Sequence, residues 1–114
     1  MELFKDTNAK SDDLWLVKEF FNSTYRHGRF IRVVGKLAKK ESVVINEEYC
    51  LFPEPEAGEP ELTFSGVKFG NPCGELIISE EACGRFIDEA CERFLLAQPR
   101  ESARIREVLD SRLI

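Results

Sequence analysis

Residues 71–98 read NPCGELIISEEACGRFIDEACERFLLAQ, and their reading decides the fold. Ser79 offers an N-cap oxygen, and Glu80 and Glu81 fall in the turn where a helix dipole favours carboxylates. Cys83, Phe86, Ile87, Ala90, Cys91, Phe94 and Leu95 then recur at spacings of 3, 1, 3, 1, 3 and 1. That is the period of a helix with one buried stripe, and Pro99 stops it. Before the cap, Glu75-Leu76-Ile77-Ile78 predicts a strand and Asn71-Pro72-Cys73-Gly74 a turn. Leu62, Phe64, Val67 and Phe69 predict the partner strand, about residues 61–69, with a shift of alternation at Gly66 of the kind a bulge makes. Two strands across so short a turn form an antiparallel hairpin. The Phe86, Ile87, Ala90, Phe94 stripe is then expected to face that sheet.

Working outward, Val43-Val44-Ile45 and Tyr49-Cys50-Leu51-Phe52 add one strand or two short extended pieces, interrupted at Asn46-Glu47-Glu48. Pro53, Pro55, Gly58 and Pro60 make residues 53–60 a loop. Upstream, Ser11-Asp12-Asp13 caps a helix carrying Leu14, Val17, Phe20, Phe21 and Thr24, which ends at Gly28. Phe30, Val33, Val34, Leu37 and Ala38 form a helical stripe, although Val33-Val34-Gly35 also permits a strand. After Pro99, Ile105, Val108, Leu109 and Leu113 mark the apolar face of a last helix. The class is α+β: a small antiparallel sheet packed by amphipathic helices, with helical N- and C-terminal segments, in one domain over residues 1–114.

Composition supports a folded, soluble chain. Of 114 residues, 43% are hydrophobic and 32% charged, enough apolar surface to build a core. A net charge of −5 argues against nucleic acid as the primary partner. No apolar run approaches the roughly 18 residues of a membrane span, and Met1–Asp6 lacks a signal peptide's basic and apolar regions, so a cytoplasmic protein is expected. Cys50, Cys73, Cys83 and Cys91 include no C-x-x-C pair, and His27 is the single histidine. Buried free thiols are expected rather than a zinc site or disulfides. No nucleophile elbow, zinc helix or phosphate loop is present. No catalytic residue, metal or cofactor is expected, and His27 beside Gly28 reads as a helix C-terminal residue.

Charge is distributed unevenly. Between Glu41 and Val67 stand seven glutamates and no Lys or Arg, so this segment is −7. The rest holds 16 bases and 14 acids, a balance of +2. Such a run can serve solubility alone. It can also steer a basic protein onto the chain, with Tyr49, Phe52 and Phe64 as aromatic anchors. On the second reading the candidate binding residues are Glu47, Glu48, Tyr49, Glu54, Glu56, Glu59 and Glu61. Just upstream, Arg26, Arg29, Arg32, Lys36, Lys39 and Lys40 occur without an acid. They read as a solvated helix face, with RNA binding the competing reading.

The strings Asn46-Glu47-Glu48-Tyr49-Cys50-Leu51-Phe52-Pro53, Phe64-Ser65-Gly66-Val67-Lys68-Phe69, Glu75-Leu76-Ile77-Ile78-Ser79-Glu80-Glu81 and Glu89-Ala90-Cys91-Glu92-Arg93-Phe94 occur in this order. Over about residues 44–110 they resemble the immunity proteins of contact-dependent growth inhibition, CdiI, of the group that neutralises ribonuclease toxins. The resemblance implies a small cytosolic α+β inhibitor without catalysis of its own. Its partner would be the cognate toxin's C-terminal domain, a basic nuclease whose active site it blocks, with no direct nucleic-acid or membrane partner. No contact residue transfers from the resemblance. An acidic adaptor domain and a small RNA-binding regulator are the alternatives.

Overall fold

In the computed structural model, which describes residues 2–5, 14–53 and 64–114, Ser79 is the cap the sequence predicts. Its Oγ accepts the Ala82 N–H at 3.0 Å, a bond worth about 1 kcal/mol. The helix it starts is one of four: α1 Trp15–Arg26, α2 Phe30–Ala38, α3 Glu80–Ala97 and α4 Ser102–Asp110, the last entered through a 3-10 turn at Pro99–Glu101. The strands are β1 Val43–Ile45, β2 Glu48–Leu51, β3 Val67–Asn71 and β4 Gly74–Ile78. They form an antiparallel meander in the order β1-β2-β3-β4, so the α+β expectation is correct.

Two tight turns set the register. Asn46 takes φ 56°, a left-handed conformation that asparagine tolerates well, and with Glu47 closes the β1–β2 hairpin. The break seen in the sequence at 46–48 therefore separates two strands. Asn71 pairs with Gly74 around Pro72-Cys73, and the Asn71 side chain accepts the Cys73 N–H at 2.7 Å. β3 begins at Val67, later than the expected strand of 61–69. Gly66 has φ +96°, and a Cβ there would run into the Ile78 carbonyl, so this glycine ends the extended run instead of bulging it. Residues 61–63 lie outside the described residues, as do Ser11–Asp13, the expected cap of α1.

The helix set closely against β2, β3 and β4 is α1. Phe20 meets Phe69 edge-on at 5.5 Å and Phe21 lies 6.3 Å from it. This corrects the expected role of α3. An 18-residue helix is about 27 Å long, whereas a five-residue strand spans about 17 Å, so α3 outruns the sheet. Its first turns reach the sheet at Cys83, beside Cys50 of β2. Its last turns need other cover: Phe94 stacks on Phe30 of α2 at 4.4 Å and 11°, and Tyr25 of α1 meets it edge-on at 5.9 Å. Phe86 is half-buried and turns toward Phe4, 6.2 Å away.

The segment 2–5 is held by a buried asparagine. Asn22 Oδ1 accepts the Phe4 N–H and Asn22 Nδ2 donates to the Phe4 carbonyl, each at 2.8 Å. Arg93 donates to the Leu3 carbonyl and lies over the Phe4 ring, 4.8 Å from its centroid. In α4 only Ile105 is buried, and Leu113, expected on the apolar face, lies beyond the helix and is exposed. Cys50, Cys83 and Cys91 are buried free thiols as expected, but Cys73 is exposed because it occupies a turn. Burial raises the pKa values of Cys50 and Cys91, the latter to about 12, which keeps both protonated and unreactive.

Candidate functional site

In a meander the first and third hairpins turn at the same end of the sheet. Asn46-Glu47 and Pro72-Cys73 therefore stand side by side, and the first turns of α1 cross beside them. Between these three pieces lies a cleft of about 740 Å³. Among the described residues its lining contains the carboxylates of Glu19, Glu47 and Glu48 with Trp15, Asn71 and Cys73, and no lysine or arginine.

The strand pleat decides which of the candidate residues enter the cleft. Glu48 pairs with Ile45 and points to the helix-covered side of the sheet, where it is half-buried. Desolvation first, and the neighbouring Glu19 carboxylate second, raise the pKa of Glu48, while Arg26 and His27 only partly offset them. Arg26 is already committed to Glu19, and at 2.7 Å to Glu2. His27 Nδ1 faces the Ser23 carbonyl at 2.8 Å and its Nε2 faces the Asn46 amide at 3.3 Å, which ties the end of α1 to the β1–β2 turn. Glu47 is exposed at that turn.

Tyr49 leaves the cleft. Its position in the row Val44, Tyr49, Gly70, Glu75 puts it on the opposite face of the sheet. The ring lies across Gly70, where any Cβ would collide with it, and the phenol donates to Glu75. That bond and partial burial push the Tyr49 pKa up to about 12. Of the other expected anchors, Phe52 is buried in the core and Phe64 is half-buried with the Lys68 ammonium 4.6 Å from its ring centroid. Glu41 is exposed and borders a different groove. Glu54, Glu56, Glu59 and Glu61 lie outside the described residues.

Sequence reading missed Trp15 and Glu19. The signal was present: they are four residues apart, hence neighbours on one face of α1. Three carboxylates around a half-buried indole suit a cationic side chain, which would pair with the acids and lie over the ring. Among the described residues, no three His, Cys, Asp or Glu side chains are placed to hold a metal ion.

The raised pKa of Glu48 makes a stability statement. The folded chain holds this proton more tightly than the unfolded chain does, so stability falls as pH rises through the carboxylate range, and ionised Glu48 is a net cost at neutral pH. Glu48→Gln is expected to raise Tm at pH 7, and the gain should vanish as pH falls below the ordinary glutamate range. Thermal unfolding of both proteins across that range checks it; a lower Tm for the variant at pH 7 would show that the site is already electrostatically satisfied.

The family model for the CDI immunity protein matches residues 13–109, and the chain belongs to that family. The fold is that of an immunity protein, NMB0503 from Neisseria meningitidis MC58, whose crystal structure superposes with a TM-score of 0.73 over 97% of this chain and 98% of that one, at 17% identity. Among curated proteins none matches the chain in sequence. Among the described residues, no helix is long and apolar enough to cross a membrane.

Proposed function

We propose that the chain is a cytoplasmic immunity protein that neutralises a cognate toxin by binding its basic, ribonuclease-type C-terminal domain and covering the active site. The observation that carries this reading is the acidic cleft. Glu19, Glu47 and Glu48 converge without a basic residue in the lining among the described residues, and Glu48 is held half-buried at an electrostatic cost that a partner's cation would relieve. A ribonuclease must gather positive charge to hold a phosphate backbone, and an acidic surface competes for those same side chains. The inhibitor needs no chemistry of its own: it acts by occupancy.

Glu54, Glu56, Glu59 and Glu61 extend the acidic run, and on this reading they help to steer the toxin. Glu47 and Glu48 are ranked first, because the β1–β2 turn and β2 hold them in place; Glu61 is ranked next, ahead of Glu54, Glu56 and Glu59, which stand among Pro and Gly. Trp15 is the aromatic residue inside the cleft, and Tyr49 would meet the toxin only from the opposite face of the sheet.

The test is the triple charge reversal Glu47→Lys, Glu48→Lys, Glu61→Lys. Toxin association should slow and become less sensitive to salt, and loss of a carboxylate that meets an arginine away from water should cost about 2–5 kcal/mol of binding. Cells carrying the variant should lose protection. A folded triple variant that binds and protects like wild type would make the acidic run a solubility device and move the interface elsewhere.

A further inference from the structure

The basic residues of α2 form a second charged surface, separate from the acidic cleft. Arg29, Arg32, Lys36 and Lys39 are all exposed, and their spacings of 3, 4 and 3 set them on one face of the helix. They extend over about 15 Å. None of the four forms an ion pair among the described residues. Their sequence neighbours are spent otherwise: Lys40 pairs with Glu80 at 3.1 Å, and Arg26 with Glu2 and Glu19.

The stripe is flanked by grooves whose linings mix apolar and charged side chains. Between α2 and β1, Arg29, Arg32 and Lys36 border a groove of about 150 Å³ with Val43 and Val44, and among the described residues no carboxylate lines it. Val44 is 65% exposed there, a large value for a strand valine. Between α2 and α4 a second groove of about 400 Å³ has Ile31, Gly35 and Val108 in its lining, with Glu41 and Glu107 the acids beside it. Arg32 also borders a third cavity, of about 640 Å³, together with Arg104.

We propose that this stripe docks an acidic peptide segment of a protein partner, about five extended residues long, in which carboxylates alternate with apolar side chains. The carboxylates would pair with these four cations, and the apolar residues would fill the grooves on either side. Charge complementarity selects an anionic occupant, and the groove linings select a peptide over RNA. A single strand of RNA needs bare aromatic faces to stack its bases. Here the rings are already used: Phe30 and Phe94 are 3% and 7% exposed and stacked on each other, with Tyr25 edge-on against Phe94. The site goes beyond the toxin-covering role and shares no residue with the acidic cleft.

Fluorescence anisotropy tests the proposal on the intact chain. The probe is a labelled ten-residue peptide of alternating glutamate and leucine; the comparison probes are the same peptide with lysine for glutamate and a labelled single-stranded RNA. The acidic peptide should bind, more weakly as ionic strength rises, and the lysine peptide should not. Arg32→Glu with Lys36→Glu should weaken the acidic peptide by about tenfold or more, and the milder Arg32→Gln with Lys36→Gln by less. All these positions are solvent-exposed, and circular dichroism confirms that each variant is folded. Glu47→Lys with Glu48→Lys, which tests the acidic cleft, should leave this binding unchanged. Absence of acidic-peptide binding, equal binding by the Arg32/Lys36 variants, or tighter binding of RNA would overturn the proposal.

Discussion

Phe20→Ala should remove about 3–5 kcal/mol of stability, the largest single loss expected from a truncation in this chain. The ring is 1% exposed and makes edge-on contacts with Phe21 at 5.8 Å and with Phe69 at 5.5 Å. It therefore joins the helix that covers the sheet to strand β3. A domain of this size has roughly 5–15 kcal/mol in total, so the variant should unfold at a much lower denaturant concentration. Phe86→Ala provides the contrast. That ring is half-buried against Phe4, and its loss should cost clearly less. Urea unfolding followed by circular dichroism measures both. Equal costs for the two would show that α3, not α1, carries the sheet.

Asn22→Ala should cost about 2–5 kcal/mol for a different reason. One amide side chain satisfies both the N–H and the carbonyl of Phe4, and all of these groups are buried. Alanine leaves two backbone groups without partners, at about 1–3 kcal/mol each. The chain can escape that cost only by releasing Leu3 and Phe4 to water, which gives up two core side chains and the Arg93 contacts with them. Either way the variant should unfold earlier. Release has its own signature: trypsin should cut after Lys5 faster than in wild type. Unchanged stability together with unchanged cleavage would rule out the Asn22 clip.

What the sequence made legible was what depends on near neighbours along the chain. Ser79 and the stripe from Cys83 to Leu95 specify α3 almost completely, because cap, first-turn acids and period agree. The stripe says that one face is buried; it does not say against what. Phe94 reads the same whether it meets a strand or the ring of Phe30, and only the length of α3 relative to the sheet decides. The acidic run shows the opposite failure. Glu48 and Tyr49 are adjacent in sequence and read as one patch, but the pleat sends them to opposite faces of the sheet. Trp15 and Glu19, some thirty residues away, complete the cleft instead. Asn22 carried no visible signal at all, since a polar residue inside an apolar stripe acquires its meaning from a backbone segment 18 positions distant.

The cleft is assembled from two hairpin turns and one end of a helix, and this has a consequence for how such a chain can change. Glu47, Pro72 and Cys73 are exposed, hold no place in the ladder of strand pairs, and are absent from the cluster of buried side chains. Exchanging them rewrites the mouth of the cleft while Phe20, Phe69 and Ile87 stay where they are. With the cleft as the proposed toxin site, architecture and recognition are stored in different letters of the same sequence. A lineage built on this plan could acquire a new adversary's signature through a handful of substitutions at two loops, without passing through an unfolded ancestor.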